Sequence, residues 1–334
     1  MRGLLFTCQA DARHYVLEEL DALSFGQKPA WLNEEVGFIS SLSFSDAAAY
    51  FAAQPPLFIR HICPVDETLS LGEDALSRLI DLAKIYIERM DKSLCFSVQT
   101  RFLQGRQPFT PGQVTGEIAS YAQQLGYELD VRMPKQVLSI VLTSDNAYIG
   151  LSLASQNLSS WAGGAMRFKD SPERVSRAEF KLLEALSIFP TPLSGTRAID
   201  LGAAPGGWTR ILIEKGCQSV TAVDPALLDG RVISLHGVTH RRMRAQEFFK
   251  GEREYDIMVN DMRMDATLSA ALMNEGAITL KPGAPAIITL KLPHQDQARI
   301  AKAAVKLLSA AYNILGARQL FHNRSEITVA LTRK

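Results

Sequence analysis

The chain has 334 residues, beyond the size at which one hydrophobic core usually stops growing, so two or three domains are expected. Hydrophobic residues make up 47% and charged residues 21%, an ordinary balance for a soluble globular protein, and no run of about 18 apolar residues offers a membrane span. Net charge is only +1, yet residues 1–170 hold 14 Lys and Arg against 19 Asp and Glu (net −5), whereas residues 171–334 hold 22 against 16 (net +6). The basic excess directs any anionic partner to the C-terminal half. The N-terminus carries only a short apolar run before Cys8, Gln9 and Asp11, which lacks the reach of a secretory signal, so a cytoplasmic location is expected. Cys8, Cys63, Cys95 and Cys217 form no C-x-x-C pair and the six histidines are scattered, so neither a metal site nor a disulfide framework is expected.

In chain order, residues 4–9 predict a strand, 13–23 a helix, and 46–53 a short helix. Residues 73–90 predict a long amphipathic helix, 94–103 a strand and 112–126 a helix. Residues 137–143 and 148–154 read as a hairpin around Ser144-Asp145-Asn146. The stretch 155–171, with Ser159-Ser160 and Gly163-Gly164, is the expected inter-domain link. Beyond it strand and helix signals alternate. Residues 197–202 end a short apolar run in Asp-Leu-Gly, and 208–216 predict a helix stopped by Gly216. Strands follow at 220–224 and 256–261, then a helix over 268–280 closed by Lys281-Pro282-Gly283. A buried strand at 284–291, a helix over 297–315 capped by Gly316, and a β-branched strand at 326–332 complete the pattern. Strands alternating with helices imply an α/β, doubly wound, parallel-rich sheet, preceded by α+β modules.

The segment Asp200-Leu-Gly-Ala-Ala-Pro-Gly-Gly-Trp208 follows a predicted strand and opens a predicted helix. Gly202, Gly206 and Gly207 permit a tight turn and close approach of a ligand, and the helix that follows offers unpaired N–H groups. A phosphate loop would use the same logic, but neither G-x-G-x-x-G nor G-x-x-x-x-G-K-[ST] is present. Asp224 ends the next strand, where a nucleoside ribose would be held through its hydroxyls. An adenosine cofactor without a pyrophosphate fits these features, and S-adenosylmethionine is one.

Further motifs extend the pattern. Ser176-Arg-Ala-Glu-Phe-Lys181, Asp200–Trp208, Asn260-Asp261-Met262, Thr289-Leu-Lys291-Leu and Arg324-Ser-Glu326 stand in the order found in FtsJ-like RNA 2′-O-methyltransferases, and the resemblance covers residues 167–333. It implies a Rossmann-like methyltransferase domain and a Lys-Asp-Lys-Glu tetrad at Lys181, Asp261, Lys291 and Glu326. It also implies cofactor contacts from Ser176, Gly202, Ala204, Pro205, Gly206, Gly207, Trp208, Asp224, Gln246 and Asp261. Leu290-Lys-Leu-Pro293, Arg318-Gln-Leu-Phe-His322, and the approach from Tyr148-Ile-Gly-Leu-Ser to Met166-Arg-Phe-Lys169 resemble large-subunit rRNA methyltransferases of the RlmM type. Those carry a THUMP RNA-binding domain before the catalytic one. The implied division is an N-terminal α+β subdomain over 1–70, a THUMP-like domain over 71–165 and the methyltransferase domain over 166–334. The implied substrate is a ribose of 23S rRNA, alone or in a pre-ribosomal particle.

The chemistry of the four residues agrees with that resemblance. Methyl transfer to a ribose hydroxyl needs an oxygen at least partly deprotonated and in line with the methyl sulfonium. A free lysine titrates near 10.4 and is no base, whereas burial and a second cation lower that value. On this reading Lys291, at the end of an apolar strand, accepts the 2′-OH proton. Lys181 supplies the second cation, Asp261 orients Lys291, and Glu326 holds the hydroxyl with Lys181.

One departure concerns the adenine. Related enzymes have an acidic residue where this chain reads Arg244-Ala-Gln246-Glu247, which puts the Gln246 contact in doubt, although an amide still hydrogen-bonds a base. His240-Arg241-Arg242-Met243-Arg244 reads as an RNA-phosphate patch or as a solvated loop. Arg60, Arg101 and Arg106 are lesser RNA candidates, and Trp161 and Phe168 are read as base-stacking or core residues. The competing functions are a catalytically silent RNA-binding protein, a small-molecule methyltransferase and a nicotinamide dehydrogenase. The tetrad, the added N-terminal half and the missing phosphate-loop pattern speak against them in that order.

Overall fold

The computed structural model describes residues 2–24, 26–40, 42–105, 107–251 and 253–334. The chain divides into two compact units, Met1–Met166 and Arg167–Lys334. No helix among the described residues is long and apolar enough to cross a membrane.

The N-terminal unit holds two sheets in succession. The first contains β1 (Gly3–Thr7), β2 (Ala30–Trp31), β3 (Val36–Ser40) and β4 (His61–Val65) in the antiparallel order β2-β3-β1-β4, with helices α1 (Arg13–Ser24) and α2 (Phe44–Ala53) between its strands in the chain. The second contains β5 (Glu67–Ser70), β6 (Phe96–Phe102), β7 (Gln136–Leu142) and β8 (Asn146–Leu153) in the order β5-β8-β7-β6, with only β6 and β7 parallel. Helices α3 (Ala75–Ile87) and α4 (Pro111–Gln124) pack Leu79, Ala83, Val114 and Ile118 against Leu138 and Ile140. Thr110 and Gln113 cap α4 reciprocally, which fixes its start. The change of sheet falls at Asp66. Strands β2 to β5 carry no clear alternation in the sequence. Gly37 interrupts β3, where the Phe6 ring fills the space a Cβ would need, and Pro64 interrupts β4.

The C-terminal unit runs α5 (Glu179–Ile188), β9 (Arg197–Leu201), α6 (Gly207–Glu214), β10 (Ser219–Val223), α7 (Gly230–Ile233), β11 (Val238–Arg241), α8 (Ala245–Phe248), β12 (Ile257–Asn260), α9 (Ala266–Gly276), β13 (Pro285–Lys291), α10 (Gln297–Leu308), β14 (Tyr312–Arg318) and β15 (Glu326–Arg333). The seven-stranded sheet has the order β11-β10-β9-β12-β13-β15-β14. The first five are parallel, and β15 runs antiparallel between β13 and β14. The central strands are buried along nearly their whole length, as expected where helices cover both faces. On one face Leu182, Ala185, Trp208 and Leu212 meet Ala198, Val220 and Ile287. This is a Rossmann-like, doubly wound α/β layer. The strand order reverses beside β9, which opens a crevice at the carboxyl ends of the strands.

Two expectations need correction. The helix predicted over 297–315 ends at Leu308, and Tyr312–Arg318 forms β14. The Ala- and Lys-rich run ends there, and tertiary pairing decides the rest. Tyr312 is fully buried and donates its hydroxyl to the Met273 carbonyl at 2.9 Å. Gly316 is therefore no helix cap. It sits at a bulge against β15, and the Phe189 ring lies 2.6 Å from where its Cβ would be. In addition, His240 and Arg241 belong to the edge strand β11, whose polar sequence gave no strand signal.

Candidate active site

The loop after β9 begins the site. Gly202 (φ +69°) and Gly206 (φ +112°) adopt backbone angles that only glycine takes readily, and the Ala204–Pro205 peptide between them is cis. The glycines also leave no room for a side chain, and Gly202 and Gly207 line the cavity described below. A Cβ at Gly202 would lie 2.3 Å from Met262 Cγ, one at Gly206 2.8 Å from Val232 Cγ1, and one at Gly207 2.3 Å from Ser176 Oγ. Trp208 is buried and donates its indole N–H to the Ala178 carbonyl at 2.7 Å, tying α6 to the start of α5. Glu179, also buried, accepts the Val175 N–H at 2.7 Å and pairs with Arg210 at 2.5 Å, so this part of the Ser176–Lys181 motif holds the loop in place.

Asp224 stands just past β10. One of its oxygens accepts the Ala204 N–H at 3.1 Å and the other the Ala226 N–H at 2.7 Å. A carboxylate has about four acceptor positions, so lone pairs remain for a diol. Behind the loop, fully buried Asp200 accepts the Thr209 hydroxyl at 2.6 Å. Burial pushes its carboxyl up to about 7, against the pull of the Thr209 hydrogen bond and with help from the charges of Asp261 and Asp224.

The four tetrad positions converge on the same edge of the sheet. Lys181 lies in the first turn of α5, Asp261 follows β12, and Lys291 ends β13. Glu326 opens β15, and because that strand is antiparallel its first residue pairs with Lys291, the last residue of β13. Lys181 Nζ lies 3.2 Å from Asp261 Oδ1 and 2.6 Å from Glu326 Oε1. Lys291 Nζ lies 2.5 Å from Glu326 Oε2 and donates to Asp261 Oδ1. Two lysine side chains thus share two carboxylates. Burial of Lys181 works against its charge, but Asp261 and Glu326 outweigh it and hold the ammonium above the usual lysine value. Asn260 shapes the approach: fully buried, it accepts the Met262 N–H at 2.9 Å and so fixes the turn that carries Asp261.

Sequence reasoning missed Thr289 as a site residue. Its hydroxyl donates to Asp261 and accepts from Lys291 Nζ at 2.5 Å. The signal was its position two residues before Lys291, on the same face of one strand. Sequence reasoning also missed Glu184. It is buried and accepts the N–H groups of Phe321 and His322 at 2.8 Å each. Both ends of the site open into one cavity of about 1160 Å³, larger than the roughly 300–1,000 Å³ typical of one small ligand. Ser176, Ala204, Pro205, Asp224 and Gln246 line it together with the tetrad, whereas Gly206 and Glu247 do not. Arg244, from the basic cluster, lines it as well. Arg60 is buried and donates to the Cys8 carbonyl at 2.5 Å, which removes it as an RNA contact. Arg101 lies across Gly163, and Arg106 lies outside the described residues. Phe168 stacks on Phe180 with ring centres 6.0 Å apart.

Residues 174–314 match the model of the FtsJ-like methyltransferase family. That stretch of the chain is therefore similar to FtsJ-like methyltransferases. The chain's relatives include proteins named ribosomal RNA large subunit methyltransferase M. That of Psychromonas ingrahamii is 33% identical over 203 residues, covering 56% of this chain and 54% of the relative. That of Xylella fastidiosa (strain M12) is 34% identical over 231 residues, covering 65% and 64%. These matches span just over half to just under two thirds of the relatives' length. That of Azoarcus sp. (strain BH72) is 27% identical and covers 99% of this chain and 96% of the relative.

Proposed function

We propose that this protein transfers a methyl group from S-adenosylmethionine to a ribose 2′-hydroxyl of RNA, that the RNA is 23S rRNA of the large ribosomal subunit, and that the reaction takes place in the cytoplasm. The observation that carries the reading is the cluster of Lys181, Asp261, Lys291 and Glu326 facing a cavity that also reaches Asp224 and the loop after β9. The relatives' names support the choice of RNA.

The residues present suit the cofactor. Asp224 has lone pairs left for ribose hydroxyls, the first N–H groups of α6 suit a carboxylate, and the amide of Gln246, which lines the cavity, suits the adenine. Bound S-adenosylmethionine supplies an electrophilic methyl on a sulfonium. Lys181, held above its usual value by two carboxylates, serves as the second cation, and Lys291 at the end of β13 takes the proton-accepting role. Asp261 and Thr289 hold the Lys291 amine in place, and Glu326 with Lys181 fixes the hydroxyl that loses its proton. Alignment of that oxygen with the methyl supplies much of the acceleration. Residues 71–165 serve as the THUMP-like RNA-binding domain behind an N-terminal subdomain over 1–70.

The test is methyl transfer from labelled cofactor to unmodified 23S rRNA, with the modified ribose then mapped. Incorporation by the unaltered chain and its loss in Lys291→Ala are expected. No incorporation by the unaltered chain, or full activity in Lys291→Ala, overturns the reading. Calorimetric binding of S-adenosylmethionine separates it from a nicotinamide enzyme.

A further inference from the structure

The cavity extends past the tetrad to an aromatic wall that neither cofactor binding nor proton transfer uses. Phe180 immediately precedes Lys181, His322 lies in the turn that leads to Glu326, and both line the cavity. Their ring centres are 5.3 Å apart. Phe168 backs the pair at 6.0 Å from Phe180 and 5.5 Å from His322. The wall is built rather than incidental. The Glu184 carboxylate, buried beneath it, lies 2.7 Å from His322 Nδ1 while accepting the N–H groups of Phe321 and His322. Asn323 closes the same turn and ties it to β15, accepting the Leu320 N–H at 2.8 Å and the Thr328 hydroxyl at 3.0 Å. The imidazole is therefore positioned before any ligand arrives. Arg324, exposed in the same turn, also lines the cavity.

Flat, partly exposed rings beside a cation match the two faces of a nucleotide, an apolar base and an anionic phosphate. The geometry points to a subsite in which the base of the nucleotide undergoing methylation lies against Phe180 and His322, with an adjacent phosphate at Arg324. The inference rests on the methyl-transfer reading and adds the residues that set the ribose before Lys291. Stacking accepts any base, so the wall positions the nucleotide without selecting it.

The test uses the full chain, labelled S-adenosylmethionine and an unmodified 23S rRNA transcript. Phe180→Leu and His322→Ala are each expected to raise KM for the transcript about tenfold while leaving the calorimetric Kd for the cofactor within about twofold. His322→Phe restores a flat ring but cannot pair with Glu184, and it is expected to recover most of the lost KM. A purely structural role for His322 predicts instead that His322→Phe is as defective as His322→Ala. That result, an unchanged KM in Phe180→Leu, or equal weakening of cofactor binding overturns the subsite. Phe180→Leu leaves Glu184 fully paired, so it decides the matter if His322→Ala does not fold. An unaltered chain that binds cofactor but methylates no transcript overturns the methyl-transfer reading itself, which distinguishes the two failures.

Discussion

One end of the cavity is formed by the loop after β9 with Asp224, the other by Lys181, Asp261, Lys291 and Glu326. At the loop end the shaping contacts are short in sequence: Ala204 to Asp224 spans 20 residues and Trp208 to Ala178 spans 30. At the tetrad end Lys181 reaches Asp261 across 80 residues, and Glu326 arrives only through the antiparallel pairing of β15 with β13. The loop end is a local structure that glycine geometry largely determines. The tetrad end exists only once the sheet has its register. The two ends should therefore fail separately.

The largest expected effect is at the tetrad. Lys291→Ala should lower kcat by about 10²–10⁴-fold, the usual worth of a general base, while calorimetric cofactor affinity stays close to that of the unaltered chain. Equal loss of both would break the separation of the ends.

At the loop end, the expected signature of Asp200 is in stability. Its folded value of about 7 lies above the unfolded 3.8, so the folded state keeps a proton that the unfolded chain has released. Stability should therefore fall as pH rises between about 4 and 7, by an amount on the order of a few kcal/mol, and level off above that range. Asp200→Asn should flatten this slope in melting curves recorded across the range. An unchanged slope would mean that the carboxyl is already ionised at low pH.

Asp224→Ala should do the converse of Lys291→Ala, weakening cofactor binding by about ten- to a hundredfold through lost charge-assisted hydrogen bonds. Its kcat at saturating cofactor should change little. Thr289→Val, nearly isosteric, should give the smallest effect, a fall in kcat of about fivefold with unchanged cofactor affinity, consistent with one net hydrogen bond. A larger fall would make Thr289 a full member of the cluster.

Much of the C-terminal unit is legible in the sequence. Strands β9, β10, β12, β13 and β15 fall within a residue or two of the runs that predict them, because central strands covered on both faces need unbroken apolar sequence. Edge and short strands are not legible. β11 is polar, β14 follows an Ala- and Lys-rich helix with no Gly or Pro between them, and β2 to β5 are short or interrupted by Gly and Pro. Their pairing comes from neighbours distant in the chain, which local propensity does not report. The same reasoning explains Arg60. Its charge suggested a surface, but it lies buried against the Cys8 carbonyl and Glu35.

By itself the sequence determined the α/β layer of the C-terminal unit and the strand-to-helix turn at Asp200–Trp208, since periodicity and glycine placement are local properties. Only the tertiary structure decided that β15 enters antiparallel beside β13, so that the first residue of one strand meets the last of the other. It also decided that two lysines share two carboxylates, and that Glu184 holds His322 at the cavity wall. These depend on register and burial, which arise when segments 30 to 138 residues apart pack together.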